Sequence, residues 1–464
     1  MVGEESEADL LTSLSQSFHK GVESNEKGLL MEILPNALIE CLAAFRPLLR
    51  HEVFLTFTYL MTGLLAGEAK AGVVRASVFA PADYQPARTS DFFTTHRVSP
   101  QRLMAALVGL VLRLVYAEKL PGHLFWIGDS TLTEKPYAAQ ISGVRWFHRA
   151  KRVAGRGKNL KGHCFACAAL LYEYTDDDGQ VQWASALVGA LLYVKGRSLP
   201  LLLGELAGQL RLPLGLRHVW VVDRGLLART LMRAVAALGQ FALGRVRANQ
   251  IVYFAPRRQP KKGRKKTYGA KCRVDRLLKE YAQRLRLTAG QLQVHGQART
   301  VKIYDAEILL RGVWAGRAGA ARVVIVVVPS LPKLKPWYLL TTDLTLTPTR
   351  VMQVYAGRPQ IEVNFDEVKE LGLGHYQGRS GTGVRRWAVL LCLAQALLKL
   401  AATGHLKVGL PSLNWSWYKK ENTVGQIRRR LVEHCHPRIS RTLPSPATTQ
   451  ESAITNVQPT FSSP

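Results

Sequence analysis

Four side chains in the C-terminal third of the chain, Tyr355, Arg358, Glu362 and Lys369, bring together an aromatic hydroxyl, two cations and a carboxylate. Two aspartates upstream each close an apolar run: Asp129 in HLFWIGDST and Asp223 in RHVWVVDRG. Three carboxylates that each follow a core-like segment are the equipment of metal-dependent phosphodiester chemistry. Two metal ions about 3.5 to 4 Å apart can activate a water or hydroxyl and stabilise the leaving oxygen of an in-line displacement. Magnesium favours carboxylate oxygens and keeps several waters, so three carboxylates suffice. Asp129, Asp223 and Glu362 are therefore the catalytic and metal-holding candidates, with two Mg2+ ions as the expected cofactor and Mn2+ as a substitute.

Taken singly, an aspartate after an apolar run is more often a helix cap or a turn residue. The spacing changes that weighting. Tyr, two residues, Arg, three residues, Glu, six residues, Lys fixes four positions, and a chance occurrence in a chain of this length is on the order of a few in a thousand.

The charge points the same way. The 464 residues carry 63 Lys and Arg against 33 Asp and Glu, a formal net charge of +30. Solubility needs far less than this, and a polyanionic partner is the simplest account. An anionic membrane is the alternative, but the longest apolar stretch, Val53 to Gly67, contains threonines and falls short of the roughly 18 to 20 residues that span a bilayer. The first residues, MVGEESEADLL, are acidic, whereas a secretory leader opens on a basic segment. The expectation is a cytoplasmic protein associated with the nucleoid, with no membrane partner. The six cysteines read as reduced thiols rather than a disulfide framework. His163, Cys164 and Cys167, with His434, Cys435 and His436 far along the chain, fall short of the two well-formed pairs that structural zinc uses.

The elements that must position these groups fall into a sequence of units. Residues 1–28 are polar and acidic. Residues 29–118 carry apolar runs at helical spacing and predict a helical N-terminal domain, either a reader of DNA ends or a cap on the next domain. Residues 119–249 alternate β-branched or aromatic runs with helices, a mixed α/β pattern. Residues 250–345 alternate as antiparallel strands do and predict a β-rich insertion, opened by the basic stretch Pro256 to Lys266. Residues 346–436 return to helices, the first carrying Glu362 and Lys369 close to one face. The Ser, Thr and Pro-rich residues 437–464 predict a disordered tail.

The segment YAGRPQIEVNFDEVK matches, without a gap, the signature of the DDE cut-and-paste transposases of bacterial insertion sequences, in the subclass named for its Tyr-Arg-Glu-Lys pattern. LGLGHYQGRSGTGVRRW continues as members of that family often do, and WIGDST and VVDRG resemble its first and second aspartate motifs. The resemblance covers roughly residues 120 to 400. It implies a ribonuclease-H-like α/β core interrupted by the β-rich insertion. It also implies a homodimer on paired DNA ends that binds terminal inverted repeats, cuts, and joins the freed strands to a target duplex.

By the same resemblance, Tyr355, Arg358 and Lys369 hold the phosphate and sugar of the transposon end, and Trp337 receives a flipped base. The side-chain chemistry agrees: a guanidinium forks to a phosphate, a lysine adds a point charge, and an extruded base needs an aromatic plane. Lys151, Arg152, Arg156, Lys158 and Lys161 follow the first aspartate motif and are suited to backbone phosphates. Arg379 lies in the continuation of the glutamate motif. Two other functions stay open on the sequence alone: a ribonuclease-H-like endonuclease without strand transfer, and an inactive, domesticated DNA-binding protein.

Overall fold

The computed structural model describes residues 34–67, 80, 84–117, 119–138, 140–148, 158–256, 265–294, 297–314, 317–410 and 423–442. Residues 1–28, the basic residues Lys151, Arg152 and Arg156, and most of the basic stretch after Pro256 lie outside the described set.

One mixed sheet carries the chain. β1 (His123–Glu134) lies between β3 (Asn159–Thr175), antiparallel to it, and β5 (Arg217–Val222), parallel to it. β4 (Val181–Leu192) pairs antiparallel on the far side of β3, and β6 (Phe241–Arg245) runs parallel to β5. The short β2 (Arg145–His148) pairs with the start of β3. Parallel neighbours need a crossover: α5 (Leu199–Gln209) connects β4 to β5, and α6 (Arg229–Ala237) connects β5 to β6. The crossover helices cover the sheet, so β5, RHVWVV, is buried at every position after its first.

The β-rich residues after β6 join this sheet. β12 (Trp337–Thr341) pairs antiparallel with β6, β11 (Arg317–Val327) with β12, and β10 (Gln297–Trp314) with β11. β9 (Arg286–Val294), β7 (Ile251–Tyr253) and, through β7, β8 (Lys271–Arg273) complete the array on β10, with the short α7 (Leu277–Glu280) between β8 and β9. The strands before and after residue 250 share one twelve-stranded sheet and one hydrophobic core.

Helices α8 (Pro348–Gly357), α9 (Gln360–Leu371) and α10 (Gly381–Ala402) come after β12, and α11 (Val424–Thr442) closes the described chain. The helix α11 runs on to Thr442, past residue 436 where the sequence predicts a disordered tail to begin. Residues 443–464 lie outside the described set.

α10 is buried along most of its length, from Gly383 to Ala401, as a helix apolar on all sides must be. Helices α1 (Asn36–Ala43), α2 (His51–Ala66), α3 (Pro86–Thr94) and α4 (Pro100–Val115) contribute to the same core. Arg386 of α10 donates Nε to Val98 O, Nη1 to Phe92 O and Nη2 to His96 O, at 3.0, 2.7 and 2.5 Å, and so closes the end of α3. α2, which contains the longest apolar stretch of the sequence, is an interior helix. Among the described residues no helix is long and apolar enough to cross a membrane.

Candidate active site

The sheet brings the two aspartates together. In the parallel register of β1 and β5, Gly128 stands opposite Val222, so the next residue on each strand, Asp129 and Asp223, emerges side by side at neighbouring positions about 4.8 Å apart in backbone spacing. Burial relaxes at the same point: β1 is sealed from Leu124 to Gly128 and opens at Asp129. A Cβ at Gly128 would lie 3.2 Å from Val222 Cγ1 and 3.4 Å from Leu203, so the glycine permits the close approach of strand and crossover helix just beneath the carboxylates.

Glu362 arrives from the other direction, in the first turn of α9. Arg358 joins it to Asp129: Nη1 donates to Glu362 Oε1 at 2.6 Å and Nη2 donates to Asp129 Oδ2. The other Asp129 oxygen, Oδ1, accepts the Ser130 N–H at 2.7 Å. The Asp129 and Arg358 side chains are 16 % and 12 % exposed, whereas Glu362 is 63 % exposed. Burial pushes the Asp129 carboxyl above the ordinary carboxylate range; Arg358 and the Ser130 N–H pull it back, and Asp223 and Glu362 push it up again. The two other carboxylates act on Asp129 through space, so the three share one neighbourhood.

Tyr355, at the end of α8, faces the same point. Burial raises its phenol above the usual value, with Asp223 and Asp129 raising it further and Arg358 and Arg245 opposing them. The Trp337 ring meets Tyr355 edge to face, 5.9 Å between centroids at 73°. Between Tyr355 and Arg358, a Cβ at Gly357 would come within 3.0 Å of the Trp183 ring, so α8 lies hard against β4.

Lys369 is seven residues beyond Glu362 on α9, about 10 Å along the axis, where it stands 3.7 Å from Asp366 on the exposed surface. Lys158 is exposed and Lys161 lies within β3. The register from Asp129 opposite Cys167 to Glu134 opposite Gly162 carries Lys161 about 20 Å along the strand from the carboxylates. Arg379 is exposed, and its carbonyl accepts the Ser142 N–H at 3.1 Å. The structure thus gathers Asp129, Asp223, Glu362, Tyr355, Arg358 and Trp337, and leaves Lys369, Lys158, Lys161 and Arg379 away from that cluster.

A buried polar network holds α9 in place. Asn364 donates Nδ2 to Ser185 Oγ on β4 at 2.8 Å. Gln395 of α10 donates Nε2 to Asn364 Oδ1 and to Glu367 Oε2, at 3.0 and 2.7 Å, and its Oε1 accepts the Leu187 N–H at 2.9 Å. Leu187 sits beside the irregularity where Ala168 faces Gly189 and Ala169 faces Leu187, which leaves its N–H free for a side chain. Lys399 donates to Glu367 Oε1 at 2.5 Å. The polar residues Asn364 and Gln395, among the apolar positions of α9 and α10, were the available sequence signal for this network.

A donor set of three carboxylates and no sulfur or imidazole suits a hard divalent cation, and the mutual repulsion around Asp129 is what such an ion relieves. As placed, the guanidinium of Arg358 stands between Asp129 and Glu362. Among the described residues no three His, Cys, Asp or Glu side chains are gathered tightly enough to hold a metal. Cys164 and Cys167 are buried in β3, burial pushing the first thiol up to about 12 and the second well above its usual value, while His163 Nε2 is 2.9 Å from Ser142 O.

Residues 202–397 match the family model described as Transposase DDE domain. The match includes Asp223 and Glu362 and begins after Asp129. No curated protein matches the chain. Among solved structures, the chain is similar to one titled as a cryo-EM structure of a piggyBac transposase synaptic complex with hairpin DNA, at 11 % identity, over 95 % of this chain and 83 % of that one, with a TM-score of 0.33.

Proposed function

We propose that the chain is the DNA transposase of a bacterial insertion sequence of the Tyr-Arg-Glu-Lys subclass. It binds terminal inverted repeats as a homodimer in the cytoplasm and catalyses metal-dependent cleavage and strand transfer. The observation that carries this reading is the emergence of Asp129 and Asp223 from adjacent parallel strand ends, with Arg358 joining Asp129 to Glu362 of α9. The transposase-domain match over residues 202–397 supports it. So does the sheet: the order β4, β3, β1, β5, β6, with the first three antiparallel and the last three parallel, is the arrangement expected of a ribonuclease-H-like core.

Asp129, Asp223 and Glu362 would hold the cofactor. Bound there, two Mg2+ ions would lower the pKa of the attacking water or 3′ hydroxyl and neutralise the charge growing on the leaving oxygen. The chain's own groups set the geometry. Parallel pairing of β1 and β5 fixes the two aspartates, and the Asn364–Gln395 network fixes the pitch of α9 and hence the position of Glu362. Arg358 and Tyr355 stand together at the end of α8 beside Asp129, so a phosphate presented there meets a guanidinium and a phenol.

The test is an excision and integration assay with purified protein, magnesium and a donor plasmid bearing the gene's flanking DNA, beside Asp223→Asn. Excision coupled to new insertions, abolished in the variant while end binding persists, is the expected result. Cutting without joining would replace the reading with a simple endonuclease. Cleavage retained by Asp223→Asn would remove the metal assignment.

A further inference from the structure

A groove of about 810 Å³ opens beside Asp223, where β5 ends, and runs between the core and the strands that come after β6. Its cationic lining comes from both sides: Arg224 and Arg229 at the start of the α6 crossover, Arg245 and Arg247 at the end of β6, Lys271 on β8 and Arg311 on β10. No aspartate or glutamate lines it. Among the described residues none of the six cations is in an ion pair, although many of this chain's other arginines are, including Arg197, Arg217, Arg273, Arg286, Arg322 and Arg350. All except Arg245 are exposed, and Arg245 is half-buried, close enough to Tyr355 to act on its hydroxyl.

Six like charges around one concavity repel one another, and among the described residues no ion pair neutralises them. The walls are fixed, since Arg233 of α6 donates Nε and Nη2 to the Gly312 carbonyl of β10 at 3.0 and 2.6 Å. An arrangement of this kind stores favourable energy for a polyanion with regularly spaced charge.

We propose that this groove binds the phosphate backbone of the DNA strand that passes over the carboxylates. Lys369 lies on α9, which packs over β1 and β4, whereas the groove lies beyond β5 on the opposite side of Asp223. A strand that crosses the carboxylates therefore meets the groove as it passes Asp223. The inference rests on the reading of the chain as a DNA-processing enzyme.

The experiment uses the full chain and a labelled duplex carrying an end sequence, with binding measured by fluorescence anisotropy from about 50 to about 200 mM salt. The groove variant combines Arg247→Gln, Lys271→Gln and Arg311→Gln, all exposed positions whose loss leaves the core intact. The control combines Lys195→Gln, Lys279→Gln and Lys407→Gln, also exposed and outside the groove. Each lost phosphate contact lowers the slope of log affinity against log salt by about 0.9. The groove variant should therefore lose about 2.7 from the slope, and over that fourfold rise in salt it should weaken about 40-fold less than the parent; the control should keep the parental slope. Equal slopes for groove variant, control and parent would overturn the groove while leaving the enzyme reading in place. An equal drop in variant and control would also overturn it, by tracing the effect to net charge. A parent that does not bind DNA at all would overturn both. A groove variant that loses affinity only for an RNA duplex of the same length would assign the groove to RNA and overturn the proposal.

Discussion

Arg358 has one guanidinium and two carboxylate partners, and its burial gives that arrangement energetic weight. Asp129 is folded with its carboxyl raised above the ordinary range, burial being the largest cause. The stability such a group contributes is present in full below the unfolded carboxylate value and is lost as pH rises through the folded one. Removing the guanidinium raises that carboxyl further. Arg358→Met should thus cost on the order of 1 to 3 kcal/mol at pH 8, and less at pH 4, since falling pH favours the protonated carboxyl. Urea unfolding at the two pH values reads this directly, and an equal loss at both would mean that the Asp129 pair is not the origin. Arg358→Lys should not restore cleavage, because an ammonium cannot fork to two carboxylates as a planar guanidinium does.

Elements set how accurately the carboxylates meet. Gln395 satisfies a strand N–H, the Asn364 amide and the Glu367 carboxylate at once. Gln395→Leu should leave these groups unpaired at a cost of about 2 to 4 kcal/mol and tilt α9, lowering the cleavage rate at least tenfold with DNA affinity unchanged. A matching loss of affinity would make the residue merely structural. Asp343, just after β12, ties three strands at their starts and ends: it accepts Arg217 Nε and Nη2 at 3.1 and 2.8 Å, Thr345 Oγ1 at 2.7 Å, and stands 3.3 Å from His123 Nε2. Burial alone would raise its carboxyl, but the bonds from Arg217 and Thr345 outweigh burial and hold it below the ordinary value. Its contribution is therefore present above the unfolded carboxylate pKa and is lost as pH falls through the lowered one. Asp343→Asn should cost on the order of 3 kcal/mol at pH 7 and less as pH falls into the acid range, as chemical denaturation along that range would read. A penalty independent of pH would refute the role.

At the scale of the whole molecule, β12 on β6 makes the strands after residue 250 a continuation of the sheet that carries Asp129. Amides of β11 from Val323 to Val326 and of β1 from Phe125 to Ile127 lie in one buried cluster. Hydrogen exchange should protect both to similar free energies. Much weaker protection in β11 would show the insertion opening independently. The same continuity forms the groove beside Asp223, because strands returning past β6 bring Lys271 and Arg311 opposite Arg224 and Arg229.

Residue types and short spacing were decided locally, so the chain alone determined the three candidate carboxylates, the Tyr355 to Lys369 pattern, the excess of positive charge, and the strand and helix periods on either side. A hydrophobic run ending in aspartate is readable because burial and exposure alternate along a few residues. What only the tertiary structure decided was how those residues meet. The register that sets Asp129 beside Asp223 depends on strands separated by a hairpin and a crossover helix. One of the two partners of Arg358 lies 229 residues away, and the six cations of the groove come from four places along the chain brought together by the sheet. Such contacts are chosen by packing between distant segments, and no local pattern encodes them.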